Sequence, residues 1–270
     1  MKHTALSPCT DGLPLLTYDG SPEGFFTVVF QVYARRLDQV TIVPDSERVQ
    51  ELWRVPEPVV SDLTQAHRVM RRLQVILGKD GWRTVQLGFL MDSPEREAVL
   101  LDVIRETLRH PHPRVLEQHT HPAIFQLSRW QQKVSRERHR MLAFVRFELM
   151  DNGVYFARIA PDCDVLPLII GHFKRRFADQ RWLIFDARRE YGVYFEDGSI
   201  HWVDEIDPVV LTHPSTAHSP LEITFQRLWR TYFQSVTIPE RQNRALQRRC
   251  MPRRYWQWLT EMQPEIRHEL

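Results

Sequence analysis

Apolar positions along this chain follow a helical rhythm toward both ends and a strand rhythm in the middle. Leu15-Leu16-Thr17-Tyr18 reads as a short strand, and Asp19-Gly20-Ser21-Pro22 turns it into a helix with Ser21 as cap and Pro22 at its first position. Phe25, Val28, Val29, Val32 and Tyr33 share one face of that helix, spaced for burial. The stretch 37–58, with Trp53 and scattered prolines, has weak periodicity and predicts an irregular connection with one helical turn. Ala66 to Leu77 predicts a helix closed by Gly78, while Trp82 to Met91 is apolar without a resolved period. Ser93-Pro94-Glu95 opens another capped helix, with Leu100, Val103, Ile104 and Leu108 inward, and His110-Pro111-His112-Pro113 ends it.

Ala123 to Ala143 predicts a long helix with Leu127, Trp130, Val134 and Met141 as its inward stripe. The rhythm then changes. Phe144–Leu149 and Val154–Ile159 alternate like strands around the hairpin turn Asp151-Asn152-Gly153. A helix carrying Val165, Leu166, Ile169, Phe173 and Phe177 follows, then strands at Trp182–Asp186, Gly192–Phe195 and Ile200–Val203. Two strands, a helix and three strands predict an α+β fold: an antiparallel sheet of about five strands with helices packed on it, a helical N-terminal half and a helical C-terminus. Residues 1–270 read as one domain, with a mainly helical part over 1–122, the sheet and C-terminal helices over 123–270, and a hinge candidate at 110–122. Ser219-Pro220-Leu221-Glu222 has the form of a capping box, and its helix is expected to bury Leu221, Phe225, Leu228, Tyr232 and Val236. Pro239 opens the next helix and Pro252 ends it, with Arg241, Arg244 and Arg248 on one side.

Composition narrows the class. Hydrophobic residues at 43% and charged residues at 26% are those of an ordinary globular protein. Three cysteines, Cys9, Cys163 and Cys250, are far apart and lack C-x-x-C spacing, which argues against a disulfide framework or a thiolate-held cluster and fits a reducing cytoplasm. Neither a signal peptide nor an apolar run long enough to span a membrane is legible. His110, His112, His119 and His121 form two H-x-H pairs, but prolines follow three of them and no carboxylate pattern accompanies them, so no metal and no cofactor is expected.

Charge supplies the candidate chemistry. The net charge is only +2, yet from Arg227 to Arg254 eight arginines stand against the single acid Glu240. Aromatic residues, among them Tyr255 and Trp256, share that stretch, a composition suited to gripping phosphates and stacking on bases, and equally that of a solvated helix face over a core. Arg129, Lys133, Arg136 and Arg140 recur at spacings of four, three and four and make a second basic ridge, partly neutralised by Glu137. The nucleic-acid-binding candidates are therefore Arg129, Lys133, Arg136, Arg140, Arg241, Arg248, Arg253, Arg254, Tyr255 and Trp256, and the two cationic stretches are expected to converge on one concave wall. A catalytic reading pairs Asp19 as activating carboxylate with His139 or His172 as proton carrier, whereas turn chemistry also accounts for Asp19.

Several of these segments together resemble a known family. Val134-Ser135-Arg136-Glu137-Arg138-His139-Arg140-Met141, Val165-Leu166-Pro167-Leu168, His172-Phe173, Gln180-Arg181-Trp182 and Met251-Pro252-Arg253-Arg254-Tyr255-Trp256, with the opening Tyr18-Asp19-Gly20-Ser21, are similar to bacterial proteins labelled as proteins of DNA metabolism or DNA repair. Members are encoded beside a radical-SAM protein of DNA modification or repair, and a related domain is fused to a uracil-DNA glycosylase-like domain. The resemblance implies a DNA-repair setting, with DNA and the radical-SAM protein as partners, and supplies no catalytic residues. The readings it leaves open are a nucleic-acid-binding accessory, a glycosylase-like enzyme acting on damaged bases, and a protein adaptor.

Overall fold

The computed structural model describes residues 13–47, 55–206 and 217–263. Cys9 and Trp53 lie outside them. The chain divides into two compact units, Met1–Gln132 and Lys133–Leu270.

The first unit is built on a small parallel sheet in the order β2-β1-β3, from β1 (Leu15–Tyr18), β2 (Thr41–Pro44) and β3 (Glu57–Pro58). The expectation of an irregular connection over 37–58 fails at Thr41–Pro44, where four residues too short to show a period are paired along the central strand. The single helical turn expected there is the 3₁₀ turn Asp45–Glu47. Helix α1 (Pro22–Ala34) starts as its sequence dictates, with Ser21 Oγ accepting the Gly24 N–H at 2.9 Å and Phe25, Val28, Val29 and Val32 buried. Tyr33 is the exception and stays exposed.

Helix α2 (Leu63–Gly88) bends at Gly78, whose φ of 65° is the left-handed conformation expected of a helix-closing glycine. The chain then resumes as helix through the apolar stretch that had no resolved period. Helix α3 (Arg96–Arg109) begins after Glu95 without a side-chain cap, because Ser93 Oγ reaches only the Glu95 N–H at 3.4 Å. Its Arg96 and Glu97 form a buried group with the Tyr18 hydroxyl, which donates to Glu97 at 2.8 Å.

Helix α4 (Pro122–Phe144) opens in the first unit and closes in the second, with Leu127, Trp130, Val134 and Met141 inward as expected. The second unit has the expected α+β architecture around a five-stranded sheet in the order β4-β5-β6-β7-β8. The strands are β4 (Glu148–Leu149), β5 (Tyr155–Ile159), β6 (Trp182–Asp186), β7 (Tyr191–Glu196) and β8 (Ser199–Val203). The sheet is antiparallel except between β5 and β6, which are parallel because helix α5 (Leu166–Arg176) crosses from one to the other. Trp182 stacks on Phe195 at 5.1 Å between ring centres, and Phe147, Phe173 and Phe177 complete an aromatic core between α5 and the sheet.

Among the described residues beyond β8 are two α-helices, α6 (Pro220–Ser235) and α7 (Arg244–Cys250). The capping box is only half made: Ser219 Oγ accepts the Leu221 N–H at 3.4 Å, but the Glu222 carboxylate turns to the edge strand and accepts the Leu149 N–H at 2.7 Å. That bond rotates α6, so Leu221, Leu228, Tyr232 and Val236 are exposed rather than buried, and Phe225 is half-exposed. Among the described residues no helix is long and apolar enough to cross a membrane.

Candidate functional site

The C-terminal motif is anchored by a residue whose charge makes it look external. Glu137 falls at the i+3 position after Val134, inside the apolar stripe of α4, and is 1% exposed. Its carboxylate accepts the Tyr255 hydroxyl, the Asp162 N–H at 2.8 Å, Arg254 Nη2 at 3.3 Å and Arg140 Nη1 at 3.5 Å. Arg254 also pairs with Asp162 at 2.8 Å and lies over the Tyr255 ring at 4.5 Å. Burial, reinforced by the hydrogen bond to Glu137, pushes the Tyr255 hydroxyl far above its ordinary pKa. Burial works against the Arg254 charge, but Tyr255, Asp162 and Glu137 outweigh it and raise its pKa.

Arg140 and the Arg253–Tyr255 turn do meet, as the two cationic stretches were expected to, yet they meet on a buried carboxylate. Tyr255, 2% exposed, is sealed against Phe144 and cannot serve as a stacking platform. Arg254 and Arg140 are structural cations. Lys133 and Arg136 remain exposed on α4, as does Arg129 in the first unit.

The remaining arginines make a different surface. Asn243 adopts extended backbone and its side chain accepts the Leu246 N–H at 2.9 Å, so α7 starts at Arg244 and Arg241 sits on a preceding 3₁₀ turn rather than on the same helical side. Beyond Pro252 a 3₁₀ turn over Arg253–Trp258 folds back. Between α7, this turn and the end of α6 lies a cleft of about 680 Å³ whose walls include Arg244, Arg248, Arg253, Trp256, Asn243 and Phe233. Among the described residues no carboxylate pairs with Arg244, Arg248 or Arg253, in contrast to Arg254 and Arg140. Trp256 is half-buried, its indole N–H donating to the Met251 carbonyl at 3.0 Å and Arg253 lying over its ring at 5.6 Å. Guanidiniums without carboxylate partners among the described residues, carboxamides and a half-buried indole in one concavity suit a phosphate with an attached flat ring, although Arg248 Nε already donates to the Arg244 carbonyl at 3.1 Å.

The residues of the catalytic expectation are divided between the two units. Asp19 belongs to the first unit, where its carboxylate accepts Ser21 N–H at 2.9 Å, Ser21 Oγ–H at 2.6 Å and Ser61 Oγ–H at 2.6 Å. Burial favours its neutral form, but the bonds from Ser21 and Ser61 prevail and hold it below the ordinary carboxylate range. These are the bonds of a strand-to-helix turn, which Gly24 permits: a Cβ there would run into Asp19 Oδ1 and lie 2.9 Å from Tyr18 Cδ2. His139 is exposed on α4 and His172 is half-buried, edge-on to Phe173, both in the second unit. Neither unit by itself contains the aspartate–histidine pair. Of the histidine group, His110 and His121 approach Glu106 at 3.8 and 4.0 Å, and among the described residues no cluster of three metal-ligating side chains occurs.

Sequence reasoning missed Glu137 and Asp162 as organising residues, and Arg244, Asn243 and Phe233 as walls of the cleft. The signal for Glu137 was its place in the stripe Leu127, Trp130, Val134, Met141. The signal for Asn243 was its capping chemistry three residues before Leu246.

The fold and site define an α+β protein with a locked C-terminal turn beside an arginine-rich cleft. The chain belongs to the family described as Domain of unknown function (DUF4130), whose profile matches residues 94–261 and so takes in Glu137, Asp162 and every wall of the cleft. Comparison with curated proteins returns no match.

Proposed function

We propose that this protein is a nucleic-acid-binding accessory of a DNA-repair system in the cytoplasm, gripping the phosphate backbone through Arg244, Arg248 and Arg253 and stacking a base on Trp256. The observation that carries the reading is the cleft itself, where three guanidiniums without carboxylate partners among the described residues share one concavity with the half-buried indole of Trp256. Lys133 and Arg136 extend the positive surface of the second unit, while Arg254 and Tyr255 act by holding the turn that carries Arg253 and Trp256.

A single-stranded DNA ten-mer is expected to bind with an affinity that falls steeply with salt. Replacing Arg244 and Arg248 together by alanine is expected to lower affinity and to reduce the slope of log K against log salt by about 0.7 for each phosphate no longer neutralised. Salt-independent binding, or an unchanged slope in the double variant, overturns the reading.

A docking role for the radical-SAM protein is compatible with it. The observation favouring this second role is the exposed apolar surface of α6, where Leu221, Leu228 and Tyr232 face outward. Co-purification of the two proteins with nucleic acid digested away, abolished by Leu228→Glu, is the expected result.

A further inference from the structure

A second cavity of about 420 Å³ lies in the same unit, walled by the rings of Phe147, Tyr155, Phe177, Trp182, Phe225 and Trp229. Its polar residues are Gln180, Gln226, Glu222, Arg146 and Thr260. Gln226 gives one amide N–H to Glu222 at 3.0 Å, and among the described residues its carbonyl oxygen and the whole Gln180 amide are unengaged. Arg146, which also reaches this cavity, is neutralised by Glu261 at 2.7 Å, so the site carries no free cation for a phosphate. Flat rings on the walls with carboxamides at the edge suit a planar heterocycle bearing an adjacent donor and acceptor.

The cavity is joined in line with the cleft by α6. Phe225, Gln226 and Trp229 border the aromatic cavity, and Phe233, four residues beyond Trp229 on the same face, borders the cationic cleft together with Thr237 just past the helix end. From Phe225 to Phe233 the helix rises about 12 Å, at about 1.5 Å per residue. We infer that the aromatic cavity is a nucleobase pocket, so that a single strand laid along α6 with phosphates on Arg244, Arg248 and Arg253 turns one unpaired base against Phe225 and the half-buried rings of Tyr155 and Phe177, its edge read by Gln180 and Gln226. This rests on the proposed nucleic-acid role and specifies its ligand as an unstacked base rather than duplex backbone alone.

The test compares a thymidine pentanucleotide with a pentamer of abasic residues carrying the same phosphates, by fluorescence anisotropy at low salt. The base-bearing chain is expected to bind at least about tenfold more tightly to the unaltered protein. Phe225→Ala, which removes a half-exposed wall, and Gln226→Trp, which fills the cavity, are each expected to cut that ratio at least threefold. Both are expected to leave the abasic chain's affinity and salt slope unchanged. Equal binding of the two pentamers, or a ratio that neither variant alters, overturns the pocket while leaving the phosphate cleft standing. Failure of both pentamers to bind overturns the proposed nucleic-acid role, and the pocket with it. Because both substitutions lie on the outer helix of the unit, loss of fold in one leaves the other as the test.

Discussion

Replacing Glu137 by alanine is the perturbation that the architecture of the second unit makes most consequential. Four donors converge on this carboxylate; the Tyr255 hydroxyl is buried and has little access to water when it is gone, and the Asp162 N–H is part-buried. A buried donor left without its acceptor costs about 1–3 kcal/mol, so these two account for most of an expected loss of about 3–5 kcal/mol. The arginines add little. Arg254 keeps Asp162 at 2.8 Å and Arg140 is partly exposed, and such pairs are worth about 1 kcal/mol or less. Tyr255→Phe removes the bond to this charged acceptor and the one the hydroxyl accepts from Arg254 Nη2 at 2.6 Å, and is expected to cost about 1.5–3 kcal/mol.

Since the two substitutions destroy the same bond, the double variant is expected to cost less than the sum of the singles by about 1–3 kcal/mol. Urea unfolding followed by tryptophan fluorescence measures all three, because Trp182, Trp202, Trp229, Trp256 and Trp258 lie in the second unit. Weakened oligonucleotide binding in Glu137→Ala is expected as well, although Glu137 touches no ligand, because Arg253 and Trp256 ride on the turn that it fixes. A loss below about 1 kcal/mol for Glu137→Ala, or strict additivity of the two substitutions, refutes the argument.

Gly24→Ala is expected to destabilise by about 1–3 kcal/mol through collision with Asp19 and Tyr18, although alanine is the better helix former; a more stable variant in thermal unfolding contradicts the steric account. Glu222, raised by burial above its ordinary value of 4.5, holds a proton in the folded state that the unfolded chain has released, so the stability of the wild type relative to Glu222→Gln is expected to fall as pH rises from 4.5 through the raised pKa. Unfolding free energies of the two proteins measured in parallel between about pH 4.5 and 7 check the sign, and a constant difference across that window rejects it.

Periodicity over ten or more residues was enough to read α1, α4 and α5 with their buried faces, since a long amphipathic stripe has few alternative ways to be buried. The hairpin at Asp151-Asn152-Gly153 was equally legible, its Gly153 taking the positive φ that such a turn needs. Two-residue and four-residue strands such as β3 and β2 left no period to read. The rotation of α6 was misread because its apolar residues surround the helix, so pattern alone does not select a face, and one hydrogen bond from Glu222 to the edge strand does.

The chain alone determined the α+β class, most helix faces, the concentration of arginine near its end, and the break that Pro252 imposes before Arg253. Tertiary structure alone decided which arginines are neutralised and which are left to a ligand. Local sequence is the same in kind around Arg253 and Arg254, yet one borders an open cleft and the other is tied to Glu137 and Asp162, residues distant in sequence. The availability of a charge depends on the carboxylates that folding brings within a few ångströms of it, and that pairing is a property of the packed unit rather than of any segment.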